Sequence, residues 1–110
     1  MIDEAEIIRR CRQGEAAAFA PLVERYQAQV LALAAGMLRD REEARDAAQE
    51  AFIQAYAGLD RFDAERSFRA WLLGIVAKRC LDRLRRQRSF LRFFSRYQAE
   101  TPILADPPAG

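Results

Sequence analysis

Residues 15–38 read EAAAFAPLVERYQAQVLALAAGML, and this stretch decides the fold class. Its apolar positions are Phe19, Leu22, Val23, Tyr26, Val30, Leu33, Ala34 and Met37. They recur in steps of three and four with adjacent pairs between, which is one stripe along a helix. Pro21 fits only a first turn, so the helix is expected to start near residues 18–20. Working outward, residues 3–13 predict a short helix closed by Gly14. On the other side, Asp40-Arg-Glu-Glu43 predicts a capped helix start, with Glu42 and Glu43 at the positive end of its dipole. That helix is expected to run to about Ala57 and stop at Gly58. Its buried face would be Ala44, Ala47, Ala48, Ala51, Ala55 and Tyr56, small enough for close approach to a neighbour.

Residues 59–66 (LDRFDAER) read as a polar connection. Ser67 is a good cap for a last long helix from Phe68 to about Gln87. Gly74 inside it costs about 1 kcal/mol against Ala, which predicts a packing reason. Residues 88–97 (RSFLRFFSRY) either continue that helix or form a separate turn. Residues 101–110 (TPILADPPAG) read as a linker or frayed end. No segment sustains the period-two alternation of a strand. The expected fold is all-α, a compact bundle of three main helices plus a short N-terminal one.

The 110 residues bound one domain with a real core. There is no histidine, and Cys11 and Cys80 lie far apart in the chain. Zinc-finger spacing and His-based triads are therefore excluded, two reduced and buried thiols are expected, and no cofactor is implied. The longest apolar runs, residues 30–38 and 70–77, fall well short of the roughly 20 residues of a membrane span. The N-terminal MIDEAEIIRR lacks a signal-peptide core. A cytoplasmic protein with no membrane insertion is expected.

Net charge is only +2, but it is not evenly spread. Residues 1–66 carry 9 basic and 13 acidic side chains, and residues 67–96 carry 9 basic and one acidic, Asp82. Within the last helix, Lys78, Arg79, Asp82, Arg83, Arg85 and Arg86 share one side, and Leu73, Val76, Ala77, Cys80, Leu81 and Leu84 the other. A basic face with an apolar back fits a helix laid against a phosphate backbone. It equally fits a solvated face, an acidic partner or a membrane surface. Phe62, Phe68 and Trp71 flank the loop that feeds this helix. Aromatics beside Arg can stack on unpaired bases at about 1–3 kcal/mol per base, or they can simply be core. On the third helix, Arg45, Asp46, Gln49, Glu50 and Ile53 form a mixed strip opposite the alanines, either exposed surface or a protein-binding face. Asp46 and Glu50 could form a carboxylate pair, but no nucleophile, Gly-rich loop or base accompanies them, and enzyme chemistry is not expected. Phe90, Leu91, Phe93 and Phe94 could fold back, bind a partner or self-associate.

In order along the chain, Asp46-Ala-Ala-Gln-Glu50-Ala-Phe52, Leu59-Asp-Arg-Phe62, Ser67-Phe-Arg-Ala-Trp71-Leu72 and Cys80-Leu-Asp82-Arg-Leu-Arg-Arg86 resemble the second conserved region of bacterial sigma factors. The extracytoplasmic-function (ECF) group is the nearest pattern, and the resemblance spans residues 6–88. It implies a transcription initiation subunit that joins core RNA polymerase and directs it to promoters. Asp46, Gln49, Glu50 and Ile53 would meet the coiled coil of the polymerase β′ subunit. Phe62, Arg66, Ser67, Arg69, Trp71, Lys78, Arg79, Arg83, Arg85 and Arg86 would bind single-stranded non-template DNA of the minus-ten element, the loop capturing a flipped base. The chain departs from the pattern at Lys78, where Asn is common, and around Leu73 and Gly74. The resemblance divides the chain into a region-two domain over 1–90 and the start of an interdomain linker over 91–110. A second domain, with a helix-turn-helix for the minus-thirty-five element, is expected in a complete factor and is absent from these residues, so either a piece of a longer protein or a factor that lacks that half is expected, the former being favoured. The rival reading is a helical interaction module whose basic face binds an acidic regulator such as an anti-sigma factor.

Overall fold

The computed structural model describes residues 3–100, with side chains as far as Tyr97. Four α-helices follow one another: α1 (Glu4–Arg12), α2 (Ala20–Leu38), α3 (Arg41–Ala57) and α4 (Phe68–Glu100). No strand occurs among the described residues. The expected all-α class is what the chain adopts.

Each start has a local cause. Asp3 caps α1 by accepting from the Glu6 N–H at 3.3 Å, and Asp40 caps α3 by accepting from the Glu43 N–H at 3.0 Å. Ser67 Oγ accepts from the Ala70 N–H at 3.1 Å at the head of α4. The long stripe does not make one helix from Glu15. Residues Ala16–Phe19 form a 3₁₀ turn, and α2 begins at Ala20 with Pro21 in its first turn. Proline has no N–H to donate and its ring would clash one turn back, so the α-helix cannot extend further upstream. At the other end, Arg39 takes a left-handed conformation with φ 57°. Its N–H still bonds the Ala35 carbonyl at 2.9 Å, and the chain turns at once into α3.

The core lies between α2, α3 and α4. Leu22, Val30, Leu72, Val76 and Cys80 are its largest fully buried side chains. From α3 it receives Ala44, Ala47, Ala48, Ala51 and Ala55, as expected, while Tyr56 is only half-buried. At one end the core becomes aromatic. Phe68 packs edge-on against Phe19 and Phe62, with ring centroids 6.4 Å and 5.8 Å apart. Cys11 and Cys80 are free and buried, and burial pushes both thiols up from their ordinary pKa.

One expectation about α4 needs correction. Gly74 is exposed and a methyl group there would meet nothing within 4 Å, so packing does not explain it. Of the two courses left open for residues 88–97, the chain takes the first, and the helix continues past Gln87 to Glu100. No Pro or Gly interrupts the sequence between Gly74 and Thr101, so nothing local stops it. Residues 91–100, where the start of a linker is expected, are helical, and the helix projects beyond the bundle to give overall dimensions of 61 × 25 × 21 Å. The expected linker over 101–110 lies outside the described residues.

Candidate polymerase and nucleic-acid interfaces

The candidate nucleic-acid site is built where α3 hands over to α4. Gly58 closes α3, and the chain makes a short 3₁₀ turn over Leu59–Arg61. Leu59 and Phe62 are buried and pin the turn to the aromatic end of the core. Arg12 of α1 holds it from outside, donating through Nε to the Leu59 carbonyl at 2.9 Å and through Nη2 to the Phe62 carbonyl. Asp63 then accepts from the Glu65 N–H at 3.0 Å and lies 3.7 Å from the Arg66 guanidinium. The result is a cleft of about 650 Å³ lined by Arg61, Phe62, Asp63, Arg66, Ser67 and Trp71.

The cleft can do two things chemically. Trp71 is half-buried, its ring 4.7 Å from Phe62 and 5.9 Å from Phe68, and so presents a supported aromatic surface. Arg61 and Arg66 are exposed at the rim and supply charge for phosphate. Gly58 makes room for this arrangement: a Cβ there would lie 3.5 Å from the Trp71 ring and 3.3 Å from the Gln54 carbonyl.

The structure brings together only part of the predicted DNA set. Arg66, Ser67 and Trp71 share the cleft. Phe62 lines it but is only 5% exposed, so it supports Trp71 and does not offer its own face to a base. Arg69 is exposed and donates to Gln29 Oε1 of α2 at 2.6 Å. Lys78, Arg85 and Arg86 are exposed further along α4.

Arg79 and Arg83 belong elsewhere, and the expected single basic side of α4 is divided. Arg79 donates through Nε to Gln54 of α3 at 2.6 Å. Arg83 is turned inward with its side chain 18% exposed. It donates through Nη2 to both Glu50 oxygens, at 2.6 and 2.8 Å, and through Nη1 to Glu43. These bonds, the one to Glu50 first, hold the Arg83 guanidinium pKa above its ordinary value against the opposing effect of burial. The cause is rotational. Positions 72, 76, 79 and 83 fall on one helical stripe, the same one that buries Leu72 and Val76. That spacing is the signal that could have separated Arg79 and Arg83 from the other basic residues. Leu81, grouped with the apolar back, is 43% exposed.

On α3, Asp46, Gln49 and Ile53 point outward and Ile53 is 67% exposed. Glu50 flanks them but is already engaged by Arg83. Asp46 and Gln49 border a cleft of about 520 Å³ with Val23, Leu31 and Phe52. Ile53 borders an apolar cleft of about 320 Å³ with Phe19, Val23, Phe52 and Tyr56. Sequence reasoning missed Arg12, Glu43 and Gln54, which contact the loop or α4 from distant positions. No group of side chains suited to hold a metal ion occurs among the described residues.

The sigma-70 region 2 family model matches residues 22–90. The chain is 40% identical over 81 residues to ECF RNA polymerase sigma factor SigW of Bacillus subtilis, covering 74% of this chain and 43% of that protein. It is 38% identical over 73 residues to RNA polymerase sigma-H factor of Pseudomonas aeruginosa, covering 66% and 38%. The chain thus spans about two fifths of the length of these relatives. Among solved structures it is similar to an engineered region 2 of sigmaE in complex with GTAAAA, with TM-score 0.72 and 35% identity over 78% of this chain and 90% of that one. It is also similar to CnrH in complex with the cytosolic domain of CnrY, with TM-score 0.65 and 29% identity over 71% and 51%. The matched segment contains α3, the cleft loop and the α4 residues described above, and the chain belongs to the sigma-70 region 2 family, with ECF sigma factors as its relatives.

Proposed function

We propose that this chain is the domain of an RNA polymerase sigma factor that docks on core polymerase through α3 and captures melted minus-ten promoter DNA beside α4. The observation that carries the reading is the cleft over residues 61–71, where a supported Trp71 face sits beside the exposed guanidinium groups of Arg61 and Arg66. A structural relative over most of its length is a region 2 in complex with GTAAAA. In this reading Trp71 stacks on an unpaired base, Arg61, Arg66 and Arg69 follow the backbone, and Lys78, Arg85 and Arg86 meet adjoining phosphates. Asp46, Gln49 and Ile53 form the contact with the β′ coiled coil, and Glu50 contributes from its position beside Arg83. The domain acts by binding and not by enzyme chemistry, in the cytoplasm.

Trp71 is the chain's only tryptophan and reports on the cleft directly. Its fluorescence is expected to be quenched by single-stranded minus-ten DNA and not by a scrambled strand of equal length. Equal quenching by both sinks promoter recognition. Core polymerase is expected to co-purify with the chain and not with Asp46→Ala/Gln49→Ala, whose circular dichroism stays unchanged.

A second partner has its own support. The likeness to CnrH, solved in complex with the cytosolic domain of CnrY, favours an anti-sigma protein that occupies the same exposed surfaces. Such a partner is expected to compete with core polymerase in that co-purification.

A further inference from the structure

Past the bundle, α4 carries a second surface that neither the cleft nor α3 uses. Every side chain from Arg85 to Tyr97 is exposed. Phe90, Leu91 and Phe93 are 63%, 63% and 69% exposed, and Phe94 is 45% exposed. At 3.6 residues per turn, Phe90, Leu91, Phe93 and Phe94 occupy one side of the helix over an arc of about 160°. Arg88, Arg92 and Arg96 fall on the opposite side within an arc of about 80°. Asp82 pairs with Arg85 at 3.5 Å, and no carboxylate occurs between Asp82 and Glu100, so Arg88, Arg92 and Arg96 lie on a stretch of helix without acidic side chains.

We infer that this end of α4 is an amphipathic surface that lies on an anionic lipid membrane. Phe90, Leu91, Phe93 and Phe94 would enter the boundary of the acyl region, while the arginines stay among the lipid headgroups. Charge and shape both select this occupant. A second copy could cover the aromatic side, but it would leave the arginines on the outer faces without an anionic partner. Duplex DNA would satisfy the arginines and leave the phenylalanines in water. A planar anionic surface takes the full width of the arc and the charge together. The helix lies on the surface and does not cross it, since no described helix is long and apolar enough to span a membrane. The inference is independent of the DNA reading, because none of these four apolar residues lines the cleft.

The test is co-sedimentation of the 110-residue chain with vesicles of phosphatidylcholine alone and of phosphatidylcholine mixed with phosphatidylglycerol. Binding is expected to the mixed vesicles at low salt and to be at least about tenfold weaker to the neutral ones. Arg88→Gln/Arg92→Gln is expected to lower partitioning about thirtyfold, at about 1 kcal/mol per Arg. Phe93→Ser/Phe94→Ser removes exposed rings only, so it is expected to abolish sedimentation while leaving the Trp71 response to minus-ten DNA unchanged. Three results overturn the inference: no binding to the mixed vesicles, binding that survives loss of both phenylalanines, or a concentration-dependent dimer that those substitutions abolish while vesicles bind nothing.

Discussion

Arg83 illustrates what one side chain's orientation decides. Its fork holds Glu43 and Glu50 on α3 from a position on α4. Arg83→Gln leaves two carboxylates facing each other at a partly buried seam. The expected loss is about 1–3 kcal/mol, between an exposed and a buried ion pair. It should appear as a lower urea midpoint with an unchanged slope. Arg83→Lys should recover only part of it, because an ammonium cannot fork to both partners. The same geometry bears on docking: Glu50 meets any partner already bonded to Arg83, while Asp46 and Gln49 are exposed. From the sequence, Arg83 looked like one more residue of a basic run. Arg12 was invisible there, because its value is two carbonyls 47 and 50 positions away. Arg12→Ala is expected to weaken the Trp71 response to minus-ten DNA without changing helical content.

At the scale of the element, α3 and α4 show which parts of the fold were legible. The caps at Asp3, Asp40 and Ser67 and the alanine face of α3 were readable, because each is local chemistry at fixed spacing. The course of residues 88–97 stayed open between a continued helix and a turn, because a missing stop signal is harder to weigh than a present one. The alanine face predicts its own sensitivity. Ala51→Leu, at a position with no exposure, is expected to cost about 1–3 kcal/mol by overpacking against α2 and α4. Gly74 predicts the opposite: Gly74→Ala, with open space around it, should raise stability by about 0.5–1 kcal/mol in thermal unfolding. If the gain in stability comes with weaker minus-ten DNA binding, the glycine is kept for close approach of the nucleic acid. The core also sets an alkaline limit. Burial raises the Cys80 thiol and, as the leading cause, the Tyr26 phenol, so folding favours their neutral forms. That stability is complete at neutral pH and is lost as pH rises past the ordinary thiol and phenol values, above about pH 9. Urea midpoints at neutral pH and at about pH 10 check the direction.

For the whole molecule, the decisive feature is that one continuous helix serves the bundle and projects beyond it. Thirty-three residues at 1.5 Å each make α4 about 50 Å long, which accounts for most of the 61 Å extent. Its exposed end has no core to stabilise it and is expected to open more readily than the bundle. Trypsin should therefore cut first at Arg88, Arg92 and Arg96 and leave a resistant bundle containing Trp71. Continuity also fixes phase. The cleft residues Ser67 and Trp71, the inward Arg83 and the outer phenylalanines are set at fixed azimuths on a single rod, so orienting one end orients the other. Adding one alanine after Gln87 would advance the distal half by about 100° and leave every bundle contact in place. Two added alanines would turn it by about 200°, nearly to the opposite side. A partner that must engage both ends at once would thus respond periodically to the length of the helix, whereas one that needs only the bundle would not respond at all.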